Sequence, residues 1–126
     1  MIPRIIHQTW KTADIPERFR DYSQSWRDRN PDWTYRFWSD RDLLEFVADH
    51  YPEFLELFCS YPRGVQRADA GRYLLLHHFG GIYGDIDTEC RQSLEPLVSE
   101  DRAIFCYEPF APWEWTINHR GLPVLL

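Results

Sequence analysis

The chain has 126 residues with a formal net charge of −6, and 44% of the residues are hydrophobic and 17% aromatic. A chain of this length and composition is expected to form one packed domain over residues 1–126, which argues against intrinsic disorder. Its acidic balance, without any basic stripe, argues against a nucleic-acid partner.

Seven segments have the spacing or the terminal residues of regular secondary structure. In chain order they are a strand over 4–9, a helix over 17–30, a strand over 33–38, helices over 40–50, 52–60 and 65–79, and a strand over 82–87. Ser39 is a good N-cap for the 40–50 helix, and Gly80 stands where the 65–79 helix needs a C-terminal cap. Such alternation predicts an open α/β sheet that binds ligands at the carboxyl ends of its strands. Beyond it, residues 103–107 are expected to form a short strand and 108–115 an ordered loop.

Helical spacing also predicts which side chains each longer helix buries. In chain order the predicted faces are Phe19, Tyr22, Trp26 and Arg29; then Leu43, Leu44 and Val47; then Val65, Ala68, Arg72, Leu75, Leu76 and Phe79. Asp69 precedes Arg72 by three residues, so the two charges project from neighbouring positions on one face. An inward charged pair just before a carboxylate-bearing strand indicates a ligand site more than a surface salt bridge.

The segment from Gly80 to Asp87 carries the strongest chemical signal. Side chains alternate along a strand, so Tyr83, Asp85 and Asp87 are predicted to share one face. Carboxylates about 6.5 Å apart along a strand repel each other, which raises a pKa or demands a counter-charge. Oxygen coordination of Mg²⁺ or Mn²⁺ meets that demand. An isolated Asp-x-Asp is more often an acidic surface turn, and the charged helix before it favours a metal site here.

Two runs of residues resemble a known family. The run with Arg67-Ala68-Asp69, Arg72-Tyr73, Gly80-Gly81-Ile82-Tyr83 and Asp85-Ile86-Asp87 resembles the sugar-binding region of glycosyltransferases with a DXD motif. That family contains yeast α-1,6-mannosyltransferases, the mannosyl-inositolphosphoceramide synthases and bacterial capsule enzymes, with the clostridial glucosylating toxins as distant relatives. The opening run, residues 2–10, is similar to the family's first strand. The resemblance covers residues 2–90, with the site core at 65–90.

The resemblance implies an α/β fold of the GT-A type, a Rossmann-like nucleotide-sugar-binding domain that is incomplete at the C-terminus of this chain. It implies that Asp87 holds Mn²⁺ or Mg²⁺, and that Asp85 contacts the ribose or sugar and reaches the metal directly or through water. Asp69 is expected to accept hydrogen bonds from sugar hydroxyls, and Arg72 to hold the sugar or the phosphates. We therefore expect catalytic roles for these four residues.

Further donor contacts are implied by the same resemblance. They come from backbone groups of His7, Gln8 and Thr9 and from Trp10 near the base, from Tyr83 beside the pocket, and from Arg67 near the phosphates. Trp38, at the end of the second strand, is expected either to stack on the base or to pack in the core. For His7 an ordinary place in the strand is the alternative.

The expected activity is metal-dependent transfer of a hexose, which is mannose, glucose or galactose, from a GDP- or UDP-hexose donor. The acceptor is expected to be a hydroxyl of a glycan or lipid, and the resemblance implies retention of the anomeric configuration. The alternative is an inactive or truncated nucleotide-sugar-binding module without transfer activity.

The cysteines and the hydropathy bear on location. Cys59, Cys90 and Cys106 form neither a zinc pattern nor a recognisable disulfide framework, which favours a reducing compartment. No apolar run reaches the roughly 20 residues of a membrane span, and no signal peptide precedes the first strand. We therefore expect a cytoplasmic protein, including one that is bound peripherally at the membrane.

Overall fold

The computed structural model describes residues 1–99 and 103–105; Cys106, the predicted 108–115 loop and the end of the predicted 103–107 strand lie outside them. The strands and α-helices are β1 (Ile5–Trp10), α1 (Glu17–Arg29), β2 (Thr34–Ser39), α2 (Asp40–His50), α3 (Leu55–Ser60), α4 (Gly64–Phe79) and β3 (Ile82–Tyr83). Short 3₁₀ turns occupy Pro52–Phe54 and Glu95–Leu97. Most predicted boundaries are correct to within one residue. The exceptions are the predicted 52–60 helix, which is divided into a 3₁₀ turn and α3, and the third strand.

The three strands form one parallel sheet in the order β2-β1-β3. Ile6 of β1 pairs with Tyr35 on one side and with Ile82 on the other. Each neighbour is reached through helices, so the strands all point the same way and their carboxyl ends meet at one edge. This arrangement confirms the predicted α/β sheet, and it places the ends of β1 and β3 next to each other.

Residues at the helix ends explain where α2 begins and α4 ends. The Ser39 hydroxyl accepts a hydrogen bond from the Asp42 backbone N–H, and the Asp42 carboxylate accepts one from the Ser39 backbone N–H. Gly80 ends α4 with φ of 66°, a left-handed conformation that favours glycine, and a Cβ there would lie 2.7 Å from Pro3. The chain therefore turns directly from α4 over the start of β1 into β3.

Side chains pack into two clusters, one on each face of the sheet. On the α1 side the buried cluster contains Ile6, Trp26, Trp33, Ile82, Cys90 and Val98. On the α4 side it contains Leu43, Phe46, Val47, Phe58 and Leu75. Both faces of β1 are thus covered, which explains why its four central residues, Ile6 to Thr9, are all buried although three of them are polar.

The buried faces of the helices differ in part from the predicted ones. Tyr22, Leu44 and Val65 are exposed, at 41%, 40% and 61% of their surface, and so is Arg29. The residues buried instead are Ser23 in α1, Phe46 in α2 and Gly71 in α4. Helical spacing predicts that a helix has one apolar face, but the rotation of the helix about its axis depends on the elements that pack against it. A Cβ on Gly71, for example, would lie 3.1 Å from Leu43, so α4 and α2 meet closely there. None of the described helices has the length and apolar character needed to cross a membrane.

Candidate functional site

The predicted extension of β3 to Asp87 is wrong. The last backbone hydrogen bond to β1 runs from the Gly84 N–H to the His7 oxygen at 3.0 Å, and the chain then turns. The Thr88 backbone N–H and hydroxyl both donate to the Asp85 carbonyl, at 3.1 and 2.5 Å. Asp85 and Asp87 therefore belong to a turn, not to one strand face. We call residues 85–88 the DXD turn.

The turn buries one side chain and exposes two carboxylates. Ile86 is buried, whereas Asp85 and Asp87 are both exposed. Trp26 of α1 lies so close to the backbone just before the turn that a Cβ on Gly84 would come within 2.5 Å of its ring. The indole N–H of Trp26 also donates to the Thr88 carbonyl at 2.8 Å. Contact with α1 is therefore the physical reason why the strand stops early.

Arg72 joins the helix to the turn. One of its terminal nitrogens lies 2.8 Å from the Asp69 carboxylate and 3.4 Å from the Asp85 carboxylate. The guanidinium also stacks on the Tyr83 ring at 4.6 Å. The Arg72 side chain is 20% exposed, while the carboxylates of Asp69 and Asp85 are about half exposed, at 51% and 53%. The structure thus brings together four residues that the sequence analysis selected. The expected inward orientation of the charged pair holds for Arg72 but is wrong for Asp69, whose carboxylate is exposed at the helix surface.

The donor set at the turn fits a divalent cation shared with a diphosphate. The Asp87 carboxylate makes no hydrogen bond or ion pair with any residue of 1–99 or 103–105. Within that same part of the chain, no three His, Cys, Asp or Glu side chains gather closely enough to hold a metal. Mg²⁺ is commonly bound by one or two carboxylates plus substrate phosphates. Asp85 and Asp87 match that pattern better than a cage built from protein ligands alone.

His7, Gln8 and Thr9 each use the side chain to hold the segment that leads into the DXD turn. The His7 ring donates to the Gly80 carbonyl through Nε2 at 3.0 Å and accepts from the Trp38 indole through Nδ1 at 3.1 Å. The Gln8 amide donates to the Asp85 carbonyl at 3.2 Å, and the Thr9 hydroxyl bonds the Tyr83 hydroxyl at 2.7 Å. The sequence analysis expected only their backbone groups to matter, and it missed this role because all three partners are more than 70 residues away.

Electrostatics follow from this burial. Loss of solvent lowers the pKa of His7 to about 4, so its ring is neutral at physiological pH. Burial likewise raises the pKa of the Tyr83 hydroxyl, which keeps it protonated beside Arg72. Both ring nitrogens of His7 form hydrogen bonds within the protein. The side chain therefore matches the alternative of an ordinary strand histidine.

The two candidate tryptophans lie in different surroundings. The Trp38 indole is half-buried among the rings of His7, Phe46 and Phe79. Trp10 stands at the carboxyl end of β1 with its ring edge on Phe19. Their contacts with a nucleotide base stay predictions.

Arg67 lies apart from Arg72, beside the end of β2. It donates to the Tyr61 carbonyl at 2.9 Å. Burial raises the pKa of the nearby Asp40 carboxyl, and the positive charges of Arg67 and Lys11 oppose that rise. The sequence analysis did not select Asp40. Its place directly after a strand at the ligand-binding edge is the signal that could have found it.

Two cavities flank α4, and neither is lined by Asp85 or Asp87. The larger, about 560 Å³, is apolar and lies between the start of β1, α4 and Phe105. The smaller, about 400 Å³, lies beside Asp69 and is lined also by Phe54, Tyr61 and Tyr73. At the DXD turn itself, Asp85 and Asp87 are both exposed at the edge of the sheet.

A parallel α/β sheet with carboxylates and an arginine at the carboxyl ends of its strands is typical of the class of α/β proteins that bind a ligand at that edge. The chain belongs to the family described as glycosyltransferase sugar-binding region containing DXD motif, which matches residues 16–104. This membership confirms the resemblance drawn from the motifs.

The relatives and a solved structure agree with this membership. Inositol phosphoceramide mannosyltransferase 2 of Schizosaccharomyces pombe is 50% identical over 98 residues, which are 78% of this chain and 28% of that protein. Mannosyl phosphorylinositol ceramide synthase SUR1 of Saccharomyces cerevisiae is 46% identical over 99 residues, 79% of this chain and 26% of that protein. The chain thus spans about a quarter of the length of these relatives. The PaToxG glycosyltransferase has a similar fold, with a TM-score of 0.59 at 22% identity over 88% of this chain and 51% of its own. The predicted GT-A-type α/β fold is thereby confirmed.

Proposed function

We propose that this chain forms the donor-binding part of a metal-dependent glycosyltransferase. The observation that carries the proposal is the position of Arg72, which lies between Asp69 and Asp85 at the carboxyl edge of the sheet. Asp87, also exposed, follows Asp85 by two residues on the DXD turn. A cation and a guanidinium at one edge suit a diphosphate, and an exposed carboxylate suits sugar hydroxyls.

Each residue has a defined part in this proposal. Asp85 and Asp87 would hold Mn²⁺ or Mg²⁺, which when bound stabilises the negative charge that develops on the departing diphosphate. Arg72 would donate two hydrogen bonds to the phosphates or the sugar, since its ion pairs leave the guanidinium partly accessible. Asp69 would accept hydrogen bonds from the sugar, and Tyr83 holds the guanidinium plane in place.

We propose mannose as the hexose and an inositol phosphoceramide-type lipid as the first acceptor to test. The support is the activity for which the two yeast relatives are named, both of which are similar to this chain along more than three-quarters of its length. The same test includes glucose and galactose as alternative hexoses and a glycan as the alternative acceptor. It also compares GDP donors with UDP donors. Retention of the anomeric configuration is proposed from the family resemblance and is checked by NMR of the first product.

The experiment is a screen of GDP- and UDP-hexoses with Mn²⁺ that follows release of the nucleoside diphosphate. We expect release with one donor class, and a loss of at least about 100-fold in Asp87→Asn, because removing one metal ligand removes charge stabilisation in the transition state. Glu89→Gln is the matched control, since Glu89 is also an exposed carboxylate two residues away, and among residues 1–99 and 103–105 it pairs only with Arg91. Wild-type turnover in folded Asp87→Asn would contradict the ligand role.

A nucleotide-sugar-binding module without transfer activity is the second candidate. The residues that would hold the donor in this proposal, Asp69, Arg72 and the DXD turn, account for donor binding without naming an acceptor contact. Tight donor binding with Mn²⁺ but no diphosphate release would support the module and not the enzyme.

A further inference from the structure

A buried chain of hydrogen bonds runs from α1 to the DXD turn. Arg27 donates to the Ser23 hydroxyl at 3.0 Å, which lies 2.7 Å from the Tyr35 hydroxyl. Tyr35 donates to the Gln8 carbonyl oxygen at 2.7 Å, and the Gln8 amide nitrogen donates to the Asp85 carbonyl at 3.2 Å. Ser23 and Gln8 are fully buried.

The direction of every bond in this chain is determined. The Asp85 carbonyl can only accept, so the Gln8 amide has one possible orientation and its oxygen accepts from Tyr35. That bond uses the only hydroxyl proton of Tyr35, so Ser23 donates to Tyr35 and accepts from Arg27. Aligned donors polarise one another, which strengthens the bonds along the chain. The last bond ends on the residue that begins the DXD turn.

Gln8 and Trp26 hold the turn at its two ends. The Asp85 carbonyl accepts from Gln8, and the Thr88 carbonyl accepts from the Trp26 indole at 2.8 Å. Both contacts come from the interior and both use backbone oxygens, so the carboxylates of Asp85 and Asp87 stay free of them. Two carboxylates on a four-residue turn repel each other, and that repulsion favours opening of a turn that is not held.

We propose that Gln8 is a positioning residue for the DXD turn, which it holds so that Asp85 and Asp87 are presented at a fixed spacing before any ligand binds. The identity of the ligand, a divalent cation with a nucleoside diphosphate, rests on the proposed function. The hydrogen bond by which Gln8 holds the turn is a property of the protein without ligand. A turn ordered in advance binds more tightly because less conformational freedom is lost on binding.

The test compares Gln8→Met with Ser23→Ala in the full chain. Gln8→Met keeps a similar length and removes both amide hydrogen bonds, while Ser23→Ala removes a buried hydrogen bond of the same chain and leaves the bond to Asp85 in place. Two quantities are measured: hydrogen exchange of the Thr88 amide without ligand, relative to amides of α2, and calorimetric affinity for GDP or UDP with Mn²⁺.

We expect Gln8→Met to speed exchange at Thr88 and to weaken nucleotide binding, each by about tenfold or more, as losses of residues that support metal ligands commonly do. Ser23→Ala is expected to change both by less than about threefold at a similar loss of stability. Where Gln8→Met does not fold, Tyr35→Phe replaces it, because that change removes the hydrogen bond to the side-chain oxygen of Gln8 and so weakens its hold on the Asp85 carbonyl.

Unchanged exchange at Thr88 in a folded Gln8→Met protein would overturn the proposal, and so would faster exchange with unchanged nucleotide affinity, which would assign Gln8 to stability alone. Absence of nucleotide binding in the wild type would defeat the proposed function instead. In that case the exchange measurement still decides whether Gln8 holds the turn.

Discussion

At the scale of single residues, burial moves the pKa of the His7 ring far from its ordinary value. Its ring is fully buried, with Phe79 at 6.0 Å on one side. Burial is the main cause that lowers the pKa, the hydrogen bond to Gly80 opposes it, and the charge of Arg36 adds to the lowering, with a net pKa of about 4. Protonation at Nδ1 would also direct an N–H at the Trp38 indole N–H, which has no acceptor to offer.

The first prediction concerns the pH dependence of stability. Histidine in the unfolded chain titrates near 6.5 and His7 in the folded chain near 4, so between these values the unfolded state binds one more proton. The free energy of unfolding should therefore be unaffected by His7 above pH 6.5 and fall as the pH drops through the window. The slope is about 1.4 kcal/mol per pH unit, up to about 3 kcal/mol in all. Urea unfolding at intervals between neutral pH and about pH 5 measures it.

His7→Gln supplies the control for this prediction, because its amide can still donate to the Gly80 carbonyl but does not titrate. The variant is expected to be less stable at neutral pH and to lose most of the slope above about pH 5, where carboxylates contribute little. An equal slope in wild type and variant would assign the pH dependence to other groups.

At the scale of elements, α4 supplies two arginines with different surroundings. Arg72 contacts Asp69, Asp85 and the ring of Tyr83, all at the DXD turn. Arg67, five residues earlier, donates to the Tyr61 carbonyl outside that group. The helix thus presents one arginine to the turn and uses the other to hold the loop before α4.

We predict that Arg72→Ala weakens nucleotide binding with Mn²⁺ by about 10- to 100-fold, since hydrogen bonds to charged groups contribute about 1.5–3 kcal/mol. Arg67→Ala should weaken it by less than about threefold. Arg72→Lys keeps the charge without the planar fork and should fall between wild type and Arg72→Ala. Calorimetry on all three variants checks the order. Equal losses at Arg72 and Arg67 would show that the position on α4 does not decide donor binding.

The packing of α1 against the end of β3 leads to a prediction about Gly84. A methyl group there would meet the Trp26 ring at 2.5 Å, so Gly84→Ala should destabilise the fold by about 1–3 kcal/mol, the usual cost of overpacking. Gly64→Ala is the matched control, because its nearest neighbour is the Asp40 carboxylate at 3.7 Å and α4 begins there.

Urea unfolding of both glycine variants is the measurement. Gly64→Ala should change stability by less than about 1 kcal/mol, and in the stabilising direction, because alanine costs less entropy than glycine in a helix. If Gly84→Ala were as stable as Gly64→Ala, Trp26 would not be the element that ends β3.

In the molecule as a whole, the site lies at the edge of the sheet where elements from both core clusters meet. Trp26 reaches the DXD turn from the α1 side, and Arg72 reaches it from the α4 side. A ligand bound there would contact residues held by both clusters. Its binding free energy would therefore appear in the stability of the whole fold.

We predict that Mn²⁺ and GDP or UDP together raise the melting temperature by several degrees, and that either alone has little effect. A ligand at a hundredfold excess over its Kd adds about 2.7 kcal/mol, and about 1 kcal/mol moves the midpoint of a domain of this size by roughly 3–6 °C. The base with the larger shift identifies the donor class. The shift should disappear in Asp87→Asn and persist in Glu89→Gln, and an equal shift in both variants would place the metal elsewhere.

Much of the fold was predictable because its signals are local. The capping box of Ser39 and Asp42 and the glycine that ends α4 act over three or four residues, so the boundaries of α2 and α4 could be read directly. The residue types at the site were equally readable. Asp69 and Arg72 are one helical turn apart, and the two carboxylates follow a short β-branched run whatever the backbone does next.

Contacts between distant segments decided the rest. The DXD turn replaces a longer strand because Trp26 packs on Gly84, 58 positions later in the chain. Gln8 and Thr88 also donate hydrogen bonds to the Asp85 carbonyl, which stabilise the turn. Such contacts leave no periodic trace in the sequence. The rotation of each helix and the neutral, buried state of His7 likewise depend on which surfaces meet when the sheet is covered on both faces, and only the tertiary structure determines that.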